Sequence, residues 1–326
     1  MTLTLAHLSD VHLGPLPRFG VRHWGIKRGL GYLNWQRNRR DAHRADVLAA
    51  LVADLQAQRP DHIAVTGDLV NIGLPKEYEA ALAWLRQLGD PDGVTVVPGN
   101  HDIYVRTGRD PGVARWQAYM SARAHDAASD SQAGEMATDA GQFPFVRRLG
   151  RVALIGLNSA VPTPPFVAAG NLGPEQLAQL GRRLEHLGQQ GLTRVVLIHH
   201  PPLPGQASRL KALRDASALA DVLQRHGAEL VLHGHNHLSE LRHHASSAGP
   251  IPVVGVPSAS LGAAHKGEAL ARYHLYRFTP QAAGMLITCV SRGLATSDGP
   301  VVEIERRTLV DGSSLTAGSS LGALQR

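Results

Sequence analysis

A layered α/β fold is what this sequence predicts, on three observations. Apolar runs of buried-strand length recur: LTLAHLSD at 3–10, HIAVTGD at 62–68, VTVVPGNHD at 94–102, RVVLIHH at 194–200 and ELVLHGHNH at 229–237. Stretches of helical periodicity lie between several of them, at 42–58, 75–89 and 174–188, and strands alternating with helices build layers. Each of the five runs ends in a polar cluster at its carboxyl end, where open α/β sheets collect ligands and catalytic groups.

Beyond residue 238 the pattern changes to strands alone, IPVVGVPS, ARYHLYRFT, GMLITCVSR and PVVEIERRTL, separated by Gly and Pro. This run predicts a second, mainly antiparallel sheet. Residues 13–44 and 103–142 interrupt the alternation and read as insertions over the rim of the fold, the second containing a helical stretch, GVARWQAYMSARAHD. The chain from 1 to 310 reads as one domain, and the Ser/Gly-rich residues 311–326 as a disordered tail.

Composition narrows the chemistry. With 43% hydrophobic and 18% charged residues, the 326-residue chain is neither disordered nor fibrous. Its single cysteine, Cys289, rules out an internal disulfide and any multi-thiolate zinc site, so a metal would have to be held by His, Asp, Glu and Asn. No apolar run approaches the roughly 20 residues of a membrane span, and the first residues lack a basic start followed by an apolar stretch; a cytoplasmic protein is expected. The formal charge of +6 is concentrated: residues 18–44 carry eight Lys and Arg against Asp41 alone. Trp24, Tyr32 and Trp35 are interleaved with them, a mixture that suits stacking on nucleic acid, an anionic membrane face, or a plain basic rim helix over the site.

The polar clusters carry the chemistry. They are Asp10-Val11-His12, Gly67-Asp68-Leu69-Val70-Asn71, Gly99-Asn100-His101-Asp102, His199-His200-Pro201-Pro202 and Gly234-His235-Asn236-His237. Asp10 and His12 stand two apart, which on an extended backbone projects both to one side. Carboxylates, imidazoles and an amide without thiolate select borderline or hard cations such as Mn, Fe or Zn. The count suffices for two ions: Asp10, His12, His237 and Asp68 for one, and Asn100, His199, His235 and Asp68 for the other, with Asp68 shared. Two bridged cations clamp an in-line displacement at phosphorus.

In this order the blocks D-x-H, G-D-x-x-N, G-N-H-D, H-x-P and G-H-x-H resemble the calcineurin-like metallophosphoesterase superfamily, over about residues 2–290 with the two insertions unmatched. The doubled His199-His200-Pro201-Pro202 beside Asn100-His101-Asp102 is most similar to the bacterial cyclic-nucleotide and glycerophosphodiester phosphodiesterases. The resemblance implies a four-layer αββα sandwich with two mixed sheets, two metals, and a metal-bridging hydroxide that attacks a small phosphodiester. It aligns His199 as the ligand, leaving His200 as a neighbouring pocket residue. His101 follows Asn100 without aligning as a ligand and suits protonation of the leaving alkoxide, imidazole being matched to proton transfer near neutral pH. Asn71 and Asp102 read as groups that orient ligands or as turn residues, and the remaining histidines, His43 among them, as surface or satisfied core residues. Three other readings stand beside the diesterase: a hydrolase of lipid pyrophosphates at a membrane surface, which the basic aromatic insertion motivates; a nuclease, disfavoured by the lack of a long helical partner-binding segment; and an inactive binding scaffold, against which the complete ligand set argues.

Overall fold

The computed structural model describes residues 2–18, 20, 23, 25–122, 143–263, 267–282 and 284–312. In chain order it runs β1 (Leu3–Leu8), α1 (Ile26–Asn34), a π-helical stretch (Trp35–Arg39), α2 (Ala45–Ala57), β2 (His62–Val65), α3 (Pro75–Leu88) and β3 (Val94–Val96). A 3-10 helix (Gly112–Tyr119), β4 (Phe145–Leu149), β5 (Val152–Gly156), α4 (Pro174–Gln189), β6 (Thr193–Leu197) and α5 (Ala216–His226) follow. The chain closes with β7 (Leu230–His233), β8 (Glu240–His244), β9 (Ile251–Gly255), β10 (Arg272–Gln281), β11 (Gly284–Leu294) and β12 (Val301–Asp311).

Two six-stranded mixed sheets form, ordered β12-β11-β10-β1-β2-β3 and β4-β5-β6-β7-β9-β8. Side-chain alternation fixes which face each strand turns where. On β6, Val195 and Leu197 join the core cluster that holds Leu5, Leu8 and Val65 of the first sheet, while Val196 belongs to the cluster of Leu180 and Leu184 of α4 and Leu219 of α5 on the other face. Leu51 and Leu55 of α2 and Ala81 and Leu85 of α3 pack against the first sheet, which completes the four-layer αββα sandwich that the resemblance implied. The strands after residue 238 do not make a sheet of their own. β1 lies between β2, parallel with Leu5 opposite His62, and β10, antiparallel with Leu5 opposite Tyr276. β9 joins β7 in the other sheet. The hairpins therefore pair the open edges left by the α/β half, since an unpaired edge with a buried face is the costlier state.

Pro75, whose missing N–H costs nothing in a first turn, opens α3, and Glu77 accepts the amides of Asn71 at 2.7 Å and Leu74 at 2.8 Å. The helix expected from residue 112 is a short 3-10 turn in which buried Trp116 donates from Nε1 to the Tyr78 carbonyl at 3.0 Å; residues 123–142, like the tail from 313, lie outside the described residues. Among the described residues no helix is long and apolar enough to cross a membrane.

Candidate metal centre at the strand ends

All five polar clusters converge at the carboxyl ends of β1, β2, β3, β6 and β7. The backbone there is not extended. Asp10, His12, Asp68, His235 and His237 have φ of 54°, 44°, 56°, 69° and 55°, so the two-apart pairs project together through left-handed loops and not through a pleat. Five non-glycine residues in this sparsely populated region, all in one place, are strain that a packed surround must hold. Glycines allow the hold: a Cβ on Gly67 would lie 2.7 Å from Gly99 Cα, and one on Gly234 would lie 2.7 Å from Ser9 Cβ. Asp102 ties the loops together, its carboxyl accepting the amides of Asp68 (2.7 Å), Leu69 (2.8 Å), Val70 (3.1 Å) and Gly99 (2.8 Å).

The seven residues singled out as ligands form one continuous file. His237 Nε2 is 3.1 Å from Asp10 Oδ1, which is 4.0 Å from His12 Nε2. His12 Nε2 is 3.9 Å from Asp68 Oδ2, and that oxygen is 3.4 Å from His199 Nε2. His199 Nε2 in turn lies 3.1 Å from Asn100 Oδ1 and 3.2 Å from His235 Nδ1. One oxygen of Asp68 thus stands between the two halves of the set. His200, by contrast, has both ring nitrogens engaged away from the file, Nδ1 with Ser159 Oγ at 2.7 Å and Nε2 with the Ala168 carbonyl at 3.1 Å.

Three of the four imidazoles share an orientation, His235 being the exception with Nδ1 toward His199. His12, His199 and His237 each turn Nδ1 to an oxygen, of Val70 (3.3 Å), Thr66 (2.6 Å) and Glu268 (3.0 Å), which leaves Nε2 facing the file. His12 Nε2 and His235 Nε2 are buried with no hydrogen-bond partner. An orphaned imidazole nitrogen beside two buried carboxylates is a costly arrangement for a protein alone and a fitting one for divalent cations. Groups of three side chains, Asp10-His12-His237 and Asp10-Asp68-His199, have ligand atoms within 4.8 Å of one another. Burial works against protonation of His199 and His237, yet Asp68 beside the first and Asp10 with Glu268 beside the second raise both to about 9. The carboxylates stay ionised, and the imidazoles beside them are the groups that take up protons.

His101 lies at the mouth of the file. Its backbone amide donates to Asp68 Oδ1 at 2.7 Å, its Nδ1 donates to the Asn71 carbonyl, and its Nε2 accepts from Arg39 Nη1 at 2.9 Å. Burial, and then the charge of Arg39, hold this imidazole down to about 4. Arg39 belongs to the 13–44 insertion, which roofs the site. Lys27 donates to the Tyr104 carbonyl at 2.7 Å and sits over the Tyr104 ring, which stacks on His101 at 5.5 Å; Arg28 donates to Gly73 O at 2.5 Å.

Two residues here escaped the sequence reading. Arg39 was one basic residue among eight. His43, taken for a surface or core histidine, packs edge-on against His12 at 4.7 Å and His237 at 5.9 Å, with Nδ1 2.8 Å from Ser260 Oγ. Its position at the end of the insertion, one residue before Arg44 and the start of α2, was the only available signal. Tyr32 and Trp35 stack on each other at 6.3 Å; Arg22 and Trp24 lie outside the described residues. A cavity of about 460 Å³ beside the half-buried Arg194–Glu229 pair sits at the opposite ends of the strands and contains none of these groups.

Fold and site together define a metal-dependent hydrolase of phosphoric esters with a dinuclear divalent metal centre. The chain belongs to the calcineurin-like phosphoesterase family, whose model matches residues 3–239. It is 26% identical over 244 residues to a probable cyclic nucleotide phosphodiesterase of Synechococcus, covering 73% of this chain and 74% of that one. It is 28% identical over 238 residues to a glycerophosphodiester phosphodiesterase of Enterobacter lignolyticus, covering 72% and 71%. The fold is that of a purple acid phosphatase from yellow lupin seeds (TM-score 0.55, 11% identity, 99% of this chain and 57% of that one) and of a dimetal phosphatase from Danio rerio (TM-score 0.53, 13% identity, 93% and 98%).

Proposed function

We propose that the protein is a phosphodiesterase for a small nucleotide or glycerophosphodiester-like substrate, working inside the cell. Asp10, His12 and His237 with Asp68 would hold one cation, and Asn100, His199 and His235 with Asp68 the other; Mn, Fe and Zn suit this donor set. The observation that carries the reading is the place of Asp68 Oδ2, 3.9 Å from His12 Nε2 and 3.4 Å from His199 Nε2, between the two groups of donors. When bound, such a pair supplies a Lewis acid for the phosphoryl oxygens and lowers the pKa of water.

The chain's own residues do the rest. Arg39 brings a fixed positive charge to the mouth of the site, where an anionic diester must enter. His101 stands beside it, its Nδ1–H committed to Asn71 O, so that Nε2 is the atom that exchanges a proton. Burial and Arg39 keep it neutral; a bound diester that takes over the Arg39 N–H frees Nε2 to take a proton from solvent, which it can then give to the leaving alkoxide. Relatives named for cyclic nucleotides and glycerophosphodiesters support the substrate class. The test is hydrolysis of bis(p-nitrophenyl) phosphate by protein loaded with Mn, Fe or Zn, followed by a panel of cyclic nucleotides and glycerophosphodiesters. Turnover with bound metal is expected, and none with any of the three metals would remove the reading.

A further inference from the structure

An ordinary surface helix buries its apolar stripe and shows water its charges. α4 does so: Leu177, Leu180, Leu184 and Leu187 are buried against the second sheet. α1 is inverted. Its charged side, Lys27 and Arg28 with Gly31, faces the protein; Lys27 and Arg28 bond to Tyr104, Thr163, Ile72 and Gly73, and a Cβ on Gly31 would lie 3.0 Å from Ile72 Cγ2. Ile26, Leu30 and Leu33, spaced i, i+4 and i+7, make the opposite side, and no α1 residue is buried. Ile26 is 81% exposed and Leu33 46%. Beside this helix, the turn whose Thr163 is bonded by Lys27 carries Phe166, which is also 81% exposed and held at φ 63°, an unusual conformation for a bulky side chain.

We propose that α1 and Phe166 form a docking surface for an anionic lipid bilayer. The flanking charge selects this occupant. Arg18, Arg37 and Arg40 are exposed in the chain on either side of α1, with Asp41 the only acid in residues 18–44. A second copy of the chain would bring the same positive charge to the contact, whereas acidic headgroups complement it while acyl chains receive Ile26 and Leu33, the pattern of an interfacial helix. Arg39 is the one arginine of its stretch that turns inward, so the inner and outer sides of the roof are chemically separate.

The full-length protein is sedimented with vesicles of phosphatidylglycerol and phosphatidylcholine, and with phosphatidylcholine alone, at low and high salt. Binding to the anionic vesicles that weakens with salt is expected. Ile26→Asp with Leu33→Asp, and separately Arg37→Glu with Arg40→Glu, should each lower partitioning more than about tenfold, since one basic residue near such a surface is worth roughly fivefold. Turnover of bis(p-nitrophenyl) phosphate is read in parallel and should stay at the wild-type level in both pairs, which separates this inference from the diesterase reading. No sedimentation with anionic vesicles at low salt, binding indifferent to both pairs, or a solution dimer that the Asp pair dissociates would each overturn the proposal, the last assigning the face to a second copy.

Discussion

The floor of the site and its roof are built by opposite means. The floor consists of loops at strand ends, with Asp10, His12, Asp68 and His199 buried, and with the left-handed backbone of Asp10, His12 and Asp68 held by glycine contacts and by Asp102. The roof, from α1 to His43, hangs on a few polar bonds, of which Arg39 to His101 is the one that reaches the floor's chemistry. The difference teaches where function tolerates change: floor substitutions should cost metal, and changes on the roof's inner side, at Arg39, should cost substrate handling while the metals stay.

The sharpest way to break this comparison is Asp68→Ala. It removes one carboxylate from both candidate coordination spheres, so metal analysis should fall from two equivalents toward none and turnover should vanish; two retained equivalents would end the shared-ligand assignment. His199→Ala should lose one equivalent and His200→Ala none, because His200 directs both nitrogens elsewhere. His101→Asn should keep its metals while turnover of an alkyl diester falls roughly 10²–10⁴-fold. A p-nitrophenyl ester should suffer less, and equal losses for both leaving groups would exclude proton donation.

Roof changes come next in size. Arg39→Ala removes a charge-assisted bond and should reduce kcat/KM roughly 10- to 100-fold with two metals retained; loss of metal in this variant would mean that the roof helps build the floor. The smallest effect concerns the metal-free protein and pH. His199 and His237 are raised to about 9 in the folded chain from an ordinary value near 6.5, so the stability they lend is full below about pH 6.5 and is lost as pH rises through 9. The melting temperature of metal-free protein should therefore fall across that window, and metal-loaded protein should show a flatter profile, cations having replaced the protons. Parallel profiles would contradict that exchange.

Much of the floor is legible in the sequence alone. The runs ending at Asp10, Asp68, Asn100, His199 and His237 are strands in their expected places, because continuous apolar stretches with polar ends leave a buried strand few alternatives. What failed was the conformation at the ends, since residues two apart read as pleat when the backbone is left-handed. The destination of β8 to β12 was also misread: periodicity reports a strand, but only the supply of open edges decides its sheet. In the roof, Arg39 and His43 were invisible for a different reason. Nothing local distinguishes an arginine that bonds an imidazole 62 positions away from its neighbours Arg37 and Arg40, which point to solvent.

The Asp102 carboxyl spans the two loops that follow β2 and β3, gathering four backbone amides without being part of the metal file. The conformational entropy of those loops is thus lost when the chain folds and not when cations arrive. Metal removal should therefore leave the fold in place: a chelator should silence the protein reversibly while its sheets persist.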